Sequence, residues 1–280
     1  MTAGFASRLA GVFAGQGRLC VGIDPHGWLL SEWNLPDTAE GAREFGLRIV
    51  DAASGLAGIV KPQVAFFERF GSRGFDALEQ VIRAAREQDI LVIADAKRGD
   101  VGSSVDAYGE TWLGEGSPLE SDAVTLNPFQ GVGALSGPFE LAHRNGKGIF
   151  VLAATSNPEG IAGQKAKLTS GRTLARSILD DVTTWNAAHT TGPLGNVGVV
   201  LGATLDLAEF ELGDSPVPAP PVLAPGFGHQ GASVADLTTI YGALSDGVIV
   251  SESRALLATG PARIRQAVAA RAEEVRLASA

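Results

Sequence analysis

A chain of 280 residues, 45% hydrophobic and 19% charged, is long enough to bury a substantial core and too apolar to remain disordered. Its formal net charge of −9, with Lys and Arg dispersed along the chain, argues against nonspecific nucleic-acid binding, so any anionic ligand must be held by local groups against the overall field. The single cysteine, Cys20, excludes an internal disulfide framework and a cysteine-rich metal site; the segment Met1 to Arg8 lacks a charged head followed by a long apolar run, and no stretch approaches the roughly 20 apolar residues that span a bilayer, which together predict a cytoplasmic protein.

Eight apolar runs bounded by turn residues read as strands: Leu19 to Asp24, Gly58 to Lys61, Ile90 to Lys97, Asp122 to Asn127, Gly148 to Ala154, Val197 to Leu201, Pro221 to Ala224 and Gly247 to Ser251. Between them lie stretches with helical spacing, including Ala42, Phe45 and Ile49, then Phe75, Leu78 and Ile82, then Leu174, Ile178 and Val182. Strand and helix in alternation imply parallel pairing with right-handed crossovers, and eight such units in this length fit an α/β (β/α)8 TIM barrel, with residues 1–280 as one domain. The segment 213–221, rich in proline, reads as a stiff connection before the seventh strand. Gly260-Pro261 and the helix formers that follow read as a closing helix with proline near its first turn.

In such barrels the C-terminal ends of the strands carry the chemistry, and here polar residues crowd those ends. The first strand finishes at Asp24-Pro25, the second at Lys61-Pro62-Gln63, the third at Asp95-Ala-Lys97, the fourth at Thr125-Leu-Asn127 and the fifth at Ser156-Asn157. Side chains alternate faces in extended chain, so Cys20, Gly22 and Asp24 share one face, as do Ile59 and Lys61, and Ile93, Asp95 and Lys97. An isolated Asp-x-Lys at a strand end is more often a structural ion pair. Four alternating charges (Asp24, Lys61, Asp95, Lys97) facing one partly dry cavity are costly unless they satisfy one another, which favours function. After the seventh and eighth strands come a glycine-rich turn, Pro225-Gly-Phe-Gly-His-Gln230-Gly231, and Ser253-Arg254; Gln230, Gly231 and Arg254 fit a phosphate cradle of backbone N–H groups and a planar guanidinium. Glu252 reads as a rim charge.

These motifs together resemble the orotidine 5'-monophosphate decarboxylase family. The likeness rests on Asp95-Ala-Lys97-Arg-Gly-Asp100-Val, Lys61-Pro62-Gln63, Gly22-Ile-Asp24-Pro25, the 225–231 turn and Ser253-Arg254, which span residues 19–254 in the family's order. Gly22-Ile-Asp24-Pro25 and Ser156-Asn-Pro158 look like its larger bacterial branch. The resemblance implies a homodimer of barrels that decarboxylates orotidine 5'-monophosphate to uridine 5'-monophosphate with neither metal nor organic cofactor. It also implies that Lys61, Asp95 and Lys97 act in one subunit's site while Asp100 reaches into the partner's. Asp24 and Lys61 would touch the ribose hydroxyls, Ser156 the pyrimidine edge, and Gln230 with Arg254 the phosphate; Asn127 would lie at the same mouth, and Ser104 would supply a ribose contact across the dimer.

Loss of carbon dioxide from an orotate ring leaves an electron pair on a carbon with no adjacent carbonyl sink, so the protein must stabilise it electrostatically. Lys97, between Asp95 and Asp100, serves on this reading as both stabiliser and proton donor. Asp95 beside the leaving carboxylate adds repulsion of roughly 4 kcal/mol for unit charges about 4 Å apart at an effective dielectric near 20. That amounts to about three orders of magnitude in rate at most, so closure of the seventh loop on phosphate must contribute as well. Three other readings stay open: a related magnesium-dependent sugar-phosphate decarboxylase or aldolase, a Schiff-base aldolase using Lys61 or Lys97, and a barrel that binds a phosphorylated metabolite without turnover. His26, His143, His189 and His229 show no metal-ligand spacing and take no catalytic role.

Overall fold

A computed structural model describes residues 4–214 and 216–279. Met1, Thr2 and Ala3 of the N-terminal segment, Ser215 of the 213–221 connection, and Ala280 lie outside the described residues. Eight strands, β1 (Leu19–Ile23), β2 (Ile59–Pro62), β3 (Leu91–Arg98), β4 (Ala123–Leu126), β5 (Gly148–Ala154), β6 (Val197–Leu201), β7 (Val222–Pro225) and β8 (Val248–Glu252), pair in parallel in sequence order. β8 pairs back onto β1, with Cys20 opposite Ser251, which closes the TIM barrel expected from the sequence. Every strand lies within a residue of its predicted bounds, because strands buried on both faces are near-continuous apolar runs.

The helices are α1 (Phe5–Gly15), α2 (Gly27–Glu32), α3 (Ala39–Ala53), α4 (Val64–Glu68), α5 (Ser72–Glu87), α6 (Gly102–Leu113), α7 (Ser136–Arg144), α8 (Pro158–Gln164), α9 (Leu174–His189), α10 (Leu237–Tyr241), α11 (Arg254–Leu257) and α12 (Ile264–Ala278). In α3 the Thr38 hydroxyl accepts from the Gly41 N–H and caps the first turn, and Ala42, Phe45 and Ile49 form its buried stripe. In α9 Thr173 caps Arg176 in the same way, and Asn186 ties the helix to β6 by donating to the Val197 carbonyl (2.7 Å) and accepting from its N–H (3.1 Å). The closing helix is present. Gly260, with φ +79°, opens a separate turn, so Pro261 precedes α12, which starts only at Ile264.

Strand parity divides the core in two. Val21, Ile23, Val60, Val92, Ala94 and Val124 pack outward against the helices, at about 1.5–3 kcal/mol for each large aliphatic side chain fully buried. Cys20, Ile59, Leu91, Ile93, Ala123, Phe150, Leu223 and Ile249 fill the lower barrel interior. Beneath them sits α1, which was not anticipated from the sequence. Its Phe5 and Leu9 join the interior cluster and plug the N-terminal end of the barrel. Phe5 meets Phe150 edge-on, with centroids 6.0 Å apart, and fits because β5 begins with glycine: a Cβ on Gly148 would lie 2.4 Å from the Phe5 ring. Arg8 pairs with Asp122, whose other oxygen accepts from the Val92 N–H (2.8 Å), so α1 is fastened to the floor by charge as well as by packing.

Candidate active site

Above the apolar floor the inward positions turn polar. Lys61 stands two residues above Ile59, Asp95 two above Ile93, Thr125 two above Ala123, and Ser251 two above Ile249. Lys61, Asp95 and Ser251 open into a cavity of about 270 Å3 at the C-terminal mouth, which is also lined by Asp24, Gln63 and Lys97 and by Gln230, Glu252 and Arg254.

Asp95 is the hub. Its Oδ2 accepts from Lys61 Nζ (2.8 Å) and Gln63 Nε2 (2.9 Å), and its Oδ1 from Lys97 Nζ (2.5 Å) and the Thr125 hydroxyl (2.9 Å). Burial works to raise the Asp95 pKa, but Lys61 and Lys97 outweigh it and hold the carboxyl well below the usual carboxylate range. Burial likewise works to neutralise Lys61, and the charges of Asp95 and Asp24 overcome it and hold the ammonium above the usual lysine range. An ionised carboxylate between two ammonium groups is thus stable in a nearly dry setting because each charge is satisfied.

Lys97 is placed by an irregularity. The β3–β4 register shifts between Ala94 and Arg98, and within that bulge Lys97 takes φ +50°, in the left-handed region that non-glycine residues rarely adopt. Its N–H donates to Thr125 Oγ1 (2.9 Å), which holds the strained backbone. Thr125 and Gln63 are the residues whose roles the sequence reading missed. Both stand at strand ends, and Thr125 has inward parity with Ala123, which was the available signal.

The remaining predicted residues are distributed unevenly. Asp24 lines the cavity, and its Oδ1 is buried without a hydrogen-bond partner. Arg254 also lines it, and its guanidinium pairs with no carboxylate among the described residues. Ser156 stands outside the lining but donates to Gln230 Oε1 (3.2 Å), joining the fifth and seventh loops across the mouth. Gly231 has φ +103° and donates its N–H to the Gly228 carbonyl, closing the turn that presents Gln230. Asn127 accepts from the Phe129 N–H (3.1 Å) beyond the lining, and Asp100 accepts from the Val101 N–H (2.9 Å), also outside it. Ser104 is exposed on α6.

Glu252 corrects the sequence reading: it is no rim charge but a buried side chain bonded to Arg271 of α12. β8 alternates, with Ile249 and Ser251 inward, so Glu252 follows Val248 and Val250 toward the helices. The thiol of Cys20 is pushed by burial up to about 12, in keeping with a core side chain. His26 packs against Trp28 and Phe66, and burial, reinforced by Arg254 and Arg69 and opposed by Asp24, lowers its pKa. Among the described residues no group of three or more His, Cys, Asp or Glu is arranged to hold a metal ion, and no helix is long and apolar enough to cross a membrane.

Residues 17–263 match the orotidine 5'-phosphate decarboxylase / HUMPS family. An orotidine 5'-phosphate decarboxylase from Salinispora tropica is 49% identical over 257 residues, covering 92% of this chain and 91% of that protein. One from Corynebacterium efficiens is 45% identical over 277 residues, 98% of each. In three dimensions, a crystal structure from Streptomyces avermitilis matches with a TM-score of 0.93 at 44% identity, covering 99% of this chain and 96% of that one.

Proposed function

This chain belongs to the orotidine 5'-phosphate decarboxylase / HUMPS family and is a decarboxylase of orotidine 5'-phosphate, and from that premise we propose that it works without metal or organic cofactor, with Lys97 as proton donor. The observation that carries this reading is the Lys61–Asp95–Lys97 array, one ionised carboxylate between two ammonium groups at the floor of the cavity. A substrate carboxylate set beside Asp95 is repelled, and the repulsion ends as neutral carbon dioxide leaves. The electron pair of the broken carbon–carbon bond stays on the ring carbon, where the Lys97 ammonium stabilises it and then transfers a proton; the amine regains its proton from solvent.

The unpartnered oxygen of Asp24 supports a ribose hydroxyl contact shared with Lys61. Arg254 and Gln230 take the phosphate beside the Gly231 turn, and Ser156, through its bond to Gln230, couples the pyrimidine edge to that end. Asp100 serves the site of a second copy in a homodimer. What supports this is its position outside its own cavity lining, next to Val101, which is 54% exposed. Ser104 supplies a ribose contact from that same shared rim, and Asn127 a substrate contact at the end of β4. Residues 1–280 act as one catalytic domain in the cytoplasm, where a charged nucleotide that does not cross membranes unaided is made and used.

The test is to follow the fall in orotate absorbance when purified protein meets orotidine 5'-monophosphate with a metal chelator present. Turnover undiminished by chelator is expected; turnover that chelator abolishes assigns the cavity to metal-dependent chemistry.

A further inference from the structure

One buried ion pair borders the cavity without a part in the chemistry above. The Glu252 side chain is 2% exposed, and its Oε1 accepts from Arg271 Nε (2.7 Å) and from Arg271 Nη2. Its Oε2 faces the other way: a Cβ built on Gly228 would stand 3.1 Å from it, so this oxygen lies against the first residue of the turn that carries Gln230. Gly228 has φ +67°, and the missing Cβ is what admits the carboxylate there. Glu252 is also two residues from Arg254, and both line the cavity. A fixed negative charge thus sits beneath the groups assigned to phosphate, where its field opposes a dianion. Arg271, reaching in from the C-terminal helix, supplies the cancelling charge, and its remaining nitrogen is held by Glu274 (2.6 Å).

We propose that Arg271 is a charge-compensating residue of the phosphate end of the cavity, and that the net charge of the Glu252–Arg271 pair sets affinity for phosphorylated ligands without affecting affinity for the nucleoside. The proposal rests on the assignment of Gln230 and Arg254 to phosphate. A tether that merely holds α12 to the barrel predicts something different: both single substitutions weaken the site alike, and nucleoside binding suffers with nucleotide binding.

Calorimetric titration with uridine 5'-monophosphate and with uridine separates the two. Arg271→Met leaves an uncompensated carboxylate and is expected to weaken nucleotide binding by about tenfold or more while uridine affinity holds. Glu252→Gln keeps an acceptor for Arg271 but leaves its positive charge in excess, so nucleotide binding tightens by about twofold to fivefold. The double substitution returns to within about threefold of the parent. Weakened nucleotide binding in Glu252→Gln, or equal losses for uridine and its monophosphate, overturns the proposal; if Arg271→Met does not fold, Glu252→Gln and the double variant decide it. Arg254→Ala isolates the premise. Unchanged nucleotide affinity there removes the phosphate assignment itself, whereas a loss there without tightening in Glu252→Gln overturns charge compensation alone.

Discussion

The Thr125 hydroxyl accepts from the Lys97 N–H and donates to Asp95 Oδ1, both at 2.9 Å, so one β4 side chain fixes the left-handed backbone of the lysine and the orientation of the carboxylate beside it. Thr125→Val keeps the shape and removes both bonds. Lys97 is then free to relax from φ +50°, and the array loses its geometry. We expect kcat to fall by about tenfold to a hundredfold with a smaller change in KM, and Thr125→Ser to restore most of it. Steady-state kinetics on the three proteins checks this; a valine variant within twofold of the parent kcat removes Thr125 from the positioning role.

Lys97 differs from Lys61 in exposure. Its side chain is 44% exposed, whereas that of Lys61 is 10% exposed, so the proton-donor role can be tested without emptying the core. Lys97→Ala should abolish turnover while leaving the thermal unfolding midpoint within a few degrees of the parent. Lys61→Ala should unfold more readily, because it empties a buried position and leaves Asp95 with only the half-exposed Lys97 as its charge partner. Near-normal decarboxylation by Lys97→Ala refutes the assigned proton donor.

Much of this site was legible in one dimension because a parallel barrel turns strand parity into direction. Lys61, Asp95 and Asp24 fall on the cavity side for the same reason that Ile59 and Ile93 fall on the floor. The same rule, applied to β8, would have sent Glu252 toward α12, and it was misread because a charge at a strand end invites the mouth as its explanation. Contacts between strands were harder to see. The Thr125 bonds depend on a register shift between β3 and β4 that no residue spacing announces. Helix α1 gave a weak signal, since Gly4 provides no side-chain cap and only Phe5 and Leu9 are buried along its length.

The two ammonium groups make the ionisation of Asp95 insensitive to mild acid. Its folded pKa lies below that of the unfolded chain, so the stability it contributes is fully present above the unfolded value, about 3.9, and is lost only as pH falls through the depressed folded value. Lys61 is the mirror case. Its folded pKa is raised, so its contribution is complete below about 10.4 and is lost as pH rises past the folded value. The carbon-13 resonance of the Asp95 carboxyl, assigned by its disappearance in Asp95→Asn, should therefore stay constant from about pH 8 to about pH 4.5. A titration step within that window shows that the lysines do not hold the carboxylate as the geometry requires.

At the opposite end of the barrel, α1 separates stability from chemistry. Phe5 is buried against Phe150 in a space left by Gly148, on the rim away from the Lys61–Asp95–Lys97 array. Phe5→Ala opens a void that the rigid strand ends around it close only in part, so we expect about 3–5 kcal/mol of lost stability by urea denaturation. Because the floor residues Ile59 and Ile93 still separate that void from the charged layer, kcat at a temperature where the variant is folded should stay within about twofold of the parent. A large kcat loss with unchanged stability is the contrary result, and it means that α1 orders the mouth through the barrel interior as well as plugging the floor.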